Sequence, residues 1–562
     1  MKTKYIVIAL GVLLGLSSCN GFLDTVPMSQ TVVENFYKTP EDAELALTGC
    51  YQTIVAAVVQ NQWGRGSFNV GMQAMLDGGT DECVMRDGLT DPLFGTIANG
   101  AYSAKDDLFK YNWAFMYAGI SRTNFLLDKL DGIPLDSLKR VQLKAETRFL
   151  RGFYYMYAGM LYGGAPVYVN SKQDPMAPRN SVKDVFTLVI NDFTYAYNNL
   201  PDRSKIEGRA NKWSAGGFLT KTYCYLASCK NNNVGADLGF DLNSFDWVDA
   251  DYAYTQARGI SEDIIENSAY KLTDHYDYLF RETTQKYQFE ECLFTAQSTS
   301  KQAQGNDYGA WLFYLIPTGS TMTAGGGYGL LRPTGEMYYD RYDVTDIRRK
   351  HNLVGAIMID GPDGIETIDG VDYYIPAQDQ TPNGQNYCIG KFRYRDPKTK
   401  NISLALSEGN YPLLRFADIL LLNAEATFFT GDESLARQRF SQVRHRVSSE
   451  VVKTGAPALS YLNAKYSRSN FITELLEERS RELCFEGQRR VDLIRFNKLS
   501  DAIIALSDGT NPSKAATWNA VVPILQDNWN GASYKIWYPL PLNDILLNKN
   551  LVQNPGYETR VN

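Results

Sequence analysis

Between Pro40 and about Tyr270, apolar residues recur at helical spacing, which predicts successive amphipathic helices over 40–60, 110–130, 138–162, 181–199, 211–229 and 249–266. In VQLKAETRFLRGFYYMYAGML (141–161), Ala145, Phe149, Gly152, Met156 and Gly159 share one face and alternate small with large. Small residues there let a second helix approach closely, as in stacked tetratricopeptide-type pairs, although no clean ~34-residue period runs through the chain. Degenerate helical repeats are the expectation.

From about 271 to 410 the pattern dissolves. Gly, Pro, Tyr and Asn are dense, as in QGNDYGAWLFYLIPTGSTMTAGGGYGLLRP (304–333). Loops this long in a compact fold are uncommon and are more often functional than idle. Helical periodicity returns over 412–430, 433–448 and 470–486, and the tail from about Ser507 reads as loop-rich, with Pro539, Pro541 and Pro555. The expectation is one globular body over 19–562, with a helical part to 270, a loop-rich face over 271–410 and C-terminal helices and a tail from 411.

The N-terminus has its own pattern. Lys2 and Lys4 precede an uncharged apolar run, Tyr5 to Leu16, too short to span a bilayer of roughly 30 Å, which takes about 20 helical residues. Leu16-Ser17-Ser18-Cys19 resembles the lipobox of bacterial lipoproteins, so 1–18 reads as a signal peptide and Cys19 as the lipidated first residue of a tethered chain. The alternative is an ordinary secretory leader whose cysteine is incidental.

Charge narrows the partners. The chain has 56 Lys+Arg against 63 Asp+Glu, and losing Lys2 and Lys4 with the leader takes the formal charge from −7 to −9. An acidic chain without a long basic tract is a poor nucleic-acid ligand. Besides Cys19, seven scattered cysteines form no disulfide framework, Cys224 and Cys229 lack zinc-finger spacing, and only His275, His351 and His445 could assist. No EF-hand spacing occurs either, so no cofactor is expected, with a structural divalent cation among the Asp-rich loops left open.

The densest charge cluster is ERSRELCFEGQRRVDLIRF (478–496). Sugar hydrolysis uses two carboxyl groups about 5 to 9.5 Å apart, and Glu478, Glu482 and Glu486 at four-residue steps would lie about 6 Å apart along a helix. The separation fits, but side chains on one face project in parallel, whereas a general acid and a nucleophile must converge on the scissile bond from opposite sides. The cluster therefore reads as structural: Arg479, Arg481, Arg489 and Arg490 pairing with these acids, Leu483, Phe485 and Leu493 packing inward, and Gly487 ending the helix.

Carbohydrate recognition needs flat apolar faces for pyranose C–H surfaces and planar polar groups for hydroxyls. The 37 tyrosines supply rings without proving their use, and Tyr154, Tyr155 and Tyr157 read as packing between helices. Rings in loops are more informative. NQWGRGSFN (61–69) holds Trp63, Arg65 and Phe68 among glycines, and LDGGTDEC (76–83) adds Asp77 and Asp81; NDYGAWLFY (306–314) holds Tyr308 and Trp311; TAGGGYGLL (323–331) leaves Tyr328 uncovered on at least one side. The triple glycine is not followed by GK[ST], so it is no phosphate loop.

Six segments in order, CNGFLDTVP, AETRFLRGFYYMYAGMLYGGAPV, RPTGEMYYDRYDVTDIRR, YPLLRFADILLLNAEA, ERSRELCFEGQRRVDLIRF and YPLPLNDILLNKNLVQNPGY, resemble the SusD/RagB outer-membrane lipoproteins of Bacteroidetes nutrient uptake. The resemblance implies a mainly α SusD-like fold of eight helices in four tetratricopeptide-like pairs, with a loop-rich face and short strands beside them. It also implies a non-catalytic surface protein that binds glycan and caps a SusC-like TonB-dependent transporter. Aligned approximately with the family's starch-binding member, Arg65, Tyr308 and Tyr328 fall at glycan contacts. An early aromatic contact falls near Met85, where this chain has no ring, so a ligand of different curvature from starch is implied. Trp63, Asp81 and Trp311 complete the candidate glycan-binding set. A lipid-anchored helical scaffold binding peptides or proteins in its concave groove is the competing expectation.

Overall fold

The computed structural model describes residues 36–55, 67–68, 71–85, 95–280, 284–297, 331–339, 341–342, 346–355, 365–368, 371–374, 387–392, 410–447, 471–506 and 516–560. Among these, eight helices follow one another in space in chain order: α1 (Pro40–Gln52), α2 (Asp107–Lys129), α3 (Ser137–Tyr162), α4 (Val182–Asn199), α5 (Lys212–Asn231), α6 (Ala250–Asn267), α7 (Phe416–Phe429) and α8 (Glu433–Val447). This is the four-pair stack that the family resemblance implies, and the fold is mainly α. No described helix is long and apolar enough to cross a membrane.

Local chemistry starts these helices where they start. Thr39 and Asp42 form a capping box on α1, with Pro40 in the first turn, and Ser181 with Asp184 does the same for α4. Asp136, Asn211 and Asp249 cap α3, α5 and α6 through their side-chain oxygens. Each cap satisfies a backbone N–H that the helix itself leaves unpaired.

Glycine on the α3 face works as the pattern predicts. A Cβ on Gly152 would lie 3.1 Å from the Phe193 ring, and one on Gly159 would lie 2.9 Å from the Phe186 ring, both rings belonging to α4. On α2, Gly119 leaves the place that the Tyr154 ring fills. Tyr154, Tyr155 and Tyr157 are buried between helices, as the sequence implies.

Between α6 and α7 the chain makes its long excursion, and among the described residues eight short strands accompany it: β1 (Cys83–Met85), β2 (Cys292–Ala296), β3 (Leu331–Pro333), β4 (Leu353–Gly355), β5 (Ile365–Ile368), β6 (Val371–Tyr374), β7 (Tyr387–Ile389) and β8 (Tyr411–Arg415). They pair antiparallel as β1–β3, β2–β8, β4–β7 and β5–β6. In β2–β8, Cys292 faces Arg415 and Ala296 faces Tyr411, so the excursion leaves and returns side by side.

Two expectations need correction. The 470–486 helix is shorter, α9 (Phe471–Leu483); Phe485 and Gly487 then take positive φ of 61° and 71°, and a new helix, α10 (Arg489–Arg495), follows. The tail is less loop-like than its prolines suggest, with helices over Ala516–Trp529 and Leu542–Leu547. Its anchors are apolar: Trp529 and Trp537 are fully buried, and the Tyr538 hydroxyl donates to the Met75 carbonyl at 2.8 Å.

Candidate functional site

Trp63, Arg65, Tyr308, Trp311, Tyr328 and Cys19 lie outside the described residues, which nevertheless define the bases from which the two candidate loop segments spring. The first departs after Val55 and returns at Ser67, where the Phe68 amide donates to the Ile54 carbonyl at 3.0 Å. The Phe68 ring is buried against Phe115, Phe153, Tyr157 and Tyr411, so this candidate loop aromatic is a core anchor instead. The second departs after Gln297 and returns through β3, which pairs with β1. The Thr334 hydroxyl donates to the Asp81 carbonyl at 2.5 Å and the Thr334 amide to the Glu82 carbonyl at 2.9 Å. The turn at 76–83 and the end of the long segment are thus one tied unit.

Asp81 is turned inward. Its carboxylate accepts from Arg489 Nε and Nη2 at 2.8 and 2.6 Å and from Arg341 Nη2 at 2.9 Å. Burial alone would raise its pKa, but Arg489 and then Arg341 hold it below the usual carboxylate range. With both oxygens engaged and only 4% of the residue exposed, Asp81 fastens the turn from beneath and presents no carboxylate to a ligand. Its neighbours are less satisfied. Asp77 accepts the Gly487 amide at 2.9 Å through one oxygen, and burial pushes its carboxyl well up. Glu82 lies 3.7 Å from Arg489 Nε, and burial, opposed by Arg489, pushes it up to about 7.

The acids of α9, and Glu486 just beyond its end, have partners that are mostly distant in sequence. Glu482 meets Arg348 at 2.8 Å, Arg415 at 3.0 Å and Arg446; Glu478 meets Arg348 at 2.8 Å and Arg481 at 2.9 Å; Glu486 accepts both Nε and Nη2 of Arg415, at 2.7 and 2.8 Å. Of the four arginines expected to pair with these acids, Arg481 does so. Arg479 instead bridges Asp418 and Asp492, Arg489 holds Asp81, and Arg490 lies 4.0 Å over the Tyr538 ring. Leu483, Phe485 and Leu493 are buried as expected.

This arrangement answers the hydrolase question by chemistry as well as direction. Burial would raise the carboxyls of Glu478 and Glu482, yet Arg348 with Arg481 and Arg444, and Arg446 with Arg415 and Arg348, hold each down to about 2. A general acid must carry its proton at working pH, and these do not. Both are also fully buried. Arg415 could have been suspected from sequence, because a charge in the otherwise apolar run YPLLRFADILLL must find a buried partner. Its partners Glu291, Glu482 and Glu486 could not.

Among the described residues, no group of three or more His, Cys, Asp or Glu is placed to hold a metal ion. The described rim also contains a cavity of about 780 Å³ between α1, the start of α3 and the 200–210 connection, with Val55 and Gln297 in its lining.

Comparison with known proteins accords with this architecture. The profile of the SusD family matches residues 290–557, and one described as starch-binding, associating with outer membrane, matches 91–224. The chain is similar to SusD-like protein P38 of Formosa agariphila, 26% identical over 511 residues that cover 88% of this chain and 91% of the relative. Its fold is similar to that of a SusD homologue from Bacteroides thetaiotaomicron, with TM-score 0.72, 22% identity and coverage of 94% and 99%. It is also similar to surface glycan-binding protein A from the same species in complex with laminarihexaose, with TM-score 0.66, 19% identity and coverage of 92% and 100%. Helical stack, strand-closed excursion and family profiles agree, and the chain belongs to the SusD/RagB family.

Proposed function

We propose that this chain is a lipid-anchored, cell-surface glycan-binding protein that captures oligo- or polysaccharide without cleaving it and passes it to a SusC-like TonB-dependent transporter of the outer membrane. Membership of the SusD family, with a matching profile described as starch-binding, and likeness of fold to a glycan-binding protein in complex with laminarihexaose carry this reading. The firm rooting of both aromatic-bearing segments supports it: Phe68 anchors the base of one, and the β1–β3 pair with Thr334 closes the other. Trp63, Arg65, Tyr308, Trp311 and Tyr328 supply the stacking rings and the planar cation, and Cys19 supplies the tether.

Affinity electrophoresis of the soluble chain beginning after Cys19, against starch, laminarin, xylan and mannan, tests capture. Retardation by at least one polysaccharide is expected, and indifference to all of them ends the reading. Tyr328→Ala should weaken binding about fivefold, since one stacked ring is worth on the order of 1 kcal/mol. Co-purification of the full-length chain with a TonB-dependent transporter tests delivery. Loss of membrane partition in Cys19→Ala tests the anchor.

A further inference from the structure

Glu82 sits in the turn that Thr334 ties down and is only 1% exposed, yet neither of its carboxylate oxygens has a hydrogen-bond partner among the described residues. Asp81, one residue earlier, takes three N–H donors. Arg489 Nε lies 3.7 Å from Glu82, but Nε and Nη2 of that guanidinium donate to Asp81, and Nη1 donates to the Leu476 carbonyl. The charged form of Glu82 thus has a cation nearby and no donor. A buried carboxylate so placed is costly, whereas a protonated carboxyl carries a donor of its own. The Ser480 hydroxyl beside it is also buried and unpaired, and can accept that hydrogen bond.

Charges face Glu82 from each element around it: Asp77 and Asp81 on its own turn, Arg341 on the returning chain, Glu477 on α9 and Arg489 on α10, with Lys391 and Glu486 beside Asp77. The neighbouring thiols of Cys83 and Cys484 are pushed up by burial, Cys484 to about 12, and stay neutral. Once ionised, Glu82 joins Asp81 and Glu477 against two guanidinium groups, which leaves an excess of negative charge at a buried site. The turn has little room to relax. At Gly79, where φ is 69°, a Cβ would lie 2.4 Å from the Ile97 carbonyl oxygen, and the Gly79 and Thr80 amides close the loop on the Cys83 carbonyl at 2.9 and 3.3 Å. With Asp81 clamped to α10, the seam that can open is the one to β3, held by the β1–β3 pair and the two bonds from Thr334.

We propose that the seam between the 76–83 turn and β3 is a proton-operated latch, closed while Glu82 is neutral and released when its carboxylate ionises and draws water in. The latch favours closure in mildly acidic surroundings and weakens as the medium turns alkaline. Because this seam ends the segment that bears Tyr308, Trp311 and Tyr328, its release lowers the hold on glycan. That consequence rests on the glycan-binding reading above, whereas the latch itself does not.

Native-state hydrogen exchange of the full chain in detergent, at about pH 5.5 and about pH 8 and corrected for the intrinsic base-catalysed rate, reads the latch directly. The carboxyl stands at about 7 in the closed form and returns to 4.5 when hydrated, so opening is favoured as pH rises between these values. Protection over 79–85 and 331–334 should therefore fall about tenfold or more across this interval while that of α3 and α4 holds. Glu82→Gln, neutral at both pH values, should reduce the fall to less than about threefold. Asp77→Asn should retain it, and this variant stands in should the glutamine prevent folding. Equal protection of the parent at both pH values overturns the latch, as does a fall that persists in Glu82→Gln or vanishes in Asp77→Asn. Capture is read separately, by titrating laminarihexaose and maltohexaose into parent and Glu82→Gln at the same two pH values. Weaker binding at the higher pH in the parent alone is expected, and affinity that ignores pH severs the latch from capture. Failure of the parent to bind either sugar counts against the glycan reading and leaves the exchange result to decide the latch.

Discussion

Two buried regions of this protein are held by opposite means. Between α3 and α4, aromatic rings enter notches left by glycine: Phe193 against Gly152 and Phe186 against Gly159. Where α9 meets the returning chain, the interior is ionic instead, with Arg348, Arg415, Arg444, Arg446 and Lys391 threaded among Asp346, Glu291, Glu478, Glu482 and Glu486. The first interface tolerates changes that preserve shape. The second demands complete partnership, because a buried charge losing its mate costs more than the pair contributed.

Arg415 gives the largest expected separation of the two. It reaches Glu291, Glu482 and Glu486 together, so Arg415→Ala should cost about 3–5 kcal/mol in urea unfolding. A loss below about 1 kcal/mol would mean that the layer is solvated rather than dry.

Acid–base behaviour sharpens the contrast next. Glu82 has a raised folded-state carboxyl, about 7 against 4.5, so the native state holds more protons than the unfolded state between these values. Its contribution is present below about pH 4.5 and lost as pH rises through 7, by up to about 3 kcal/mol at about 1.4 kcal/mol per pH unit. Glu82→Gln should therefore flatten the fall in stability between pH 5 and 8, measured by urea unfolding at both. Glu478 and Glu482 act in the reverse sense. Held down to about 2, they contribute above pH 4.5 and lose that contribution as pH falls towards 2.

Shape is probed by Gly119→Ala. Its Cβ would come 2.4 Å from the Tyr154 ring, and that ring is fixed by its hydroxyl donating to the Cys50 carbonyl at 2.6 Å. A cost of about 1–3 kcal/mol is expected, read as a shift in melting temperature. Smallest is Ser181→Ala, which opens the α4 capping box and should cost about 1 kcal/mol. It sets the scale of a purely local loss against which the other three are read.

Legibility in the sequence divides along the same line. Ala145, Phe149, Gly152, Met156 and Gly159 announce a packed helical face because the information is local and repeats with the helical turn. The ends of α1 and α4 are equally readable from Thr39 and Ser181. The ionic layer is not, since Glu482 finds partners 134, 67 and 36 positions away, and only folding brings them together. Asp81 shows the same limit at the candidate site: an acid in a glycine-rich turn looks available, yet Arg341 and Arg489, remote in sequence, occupy it. The tail misled for another reason. Pro539, Pro541 and Pro555 lie outside its helices and Pro523 is accommodated within one, while Trp529 and Trp537 hold those elements in the core.

The β2–β8 pair acts as a narrow doorway through which residues 297–410 leave and re-enter the body. Because closing a loop twice as long costs only about 0.6 kcal/mol more, length and composition beyond that doorway can drift with little penalty to the helices behind it. Thr334, tied to the 76–83 turn, and Arg341, Asp346, Arg348 and Lys391, pinned to buried acids or bases, are exempt. A lineage of such proteins can thereby rewrite the stretches between those anchors without having to invent a new chassis.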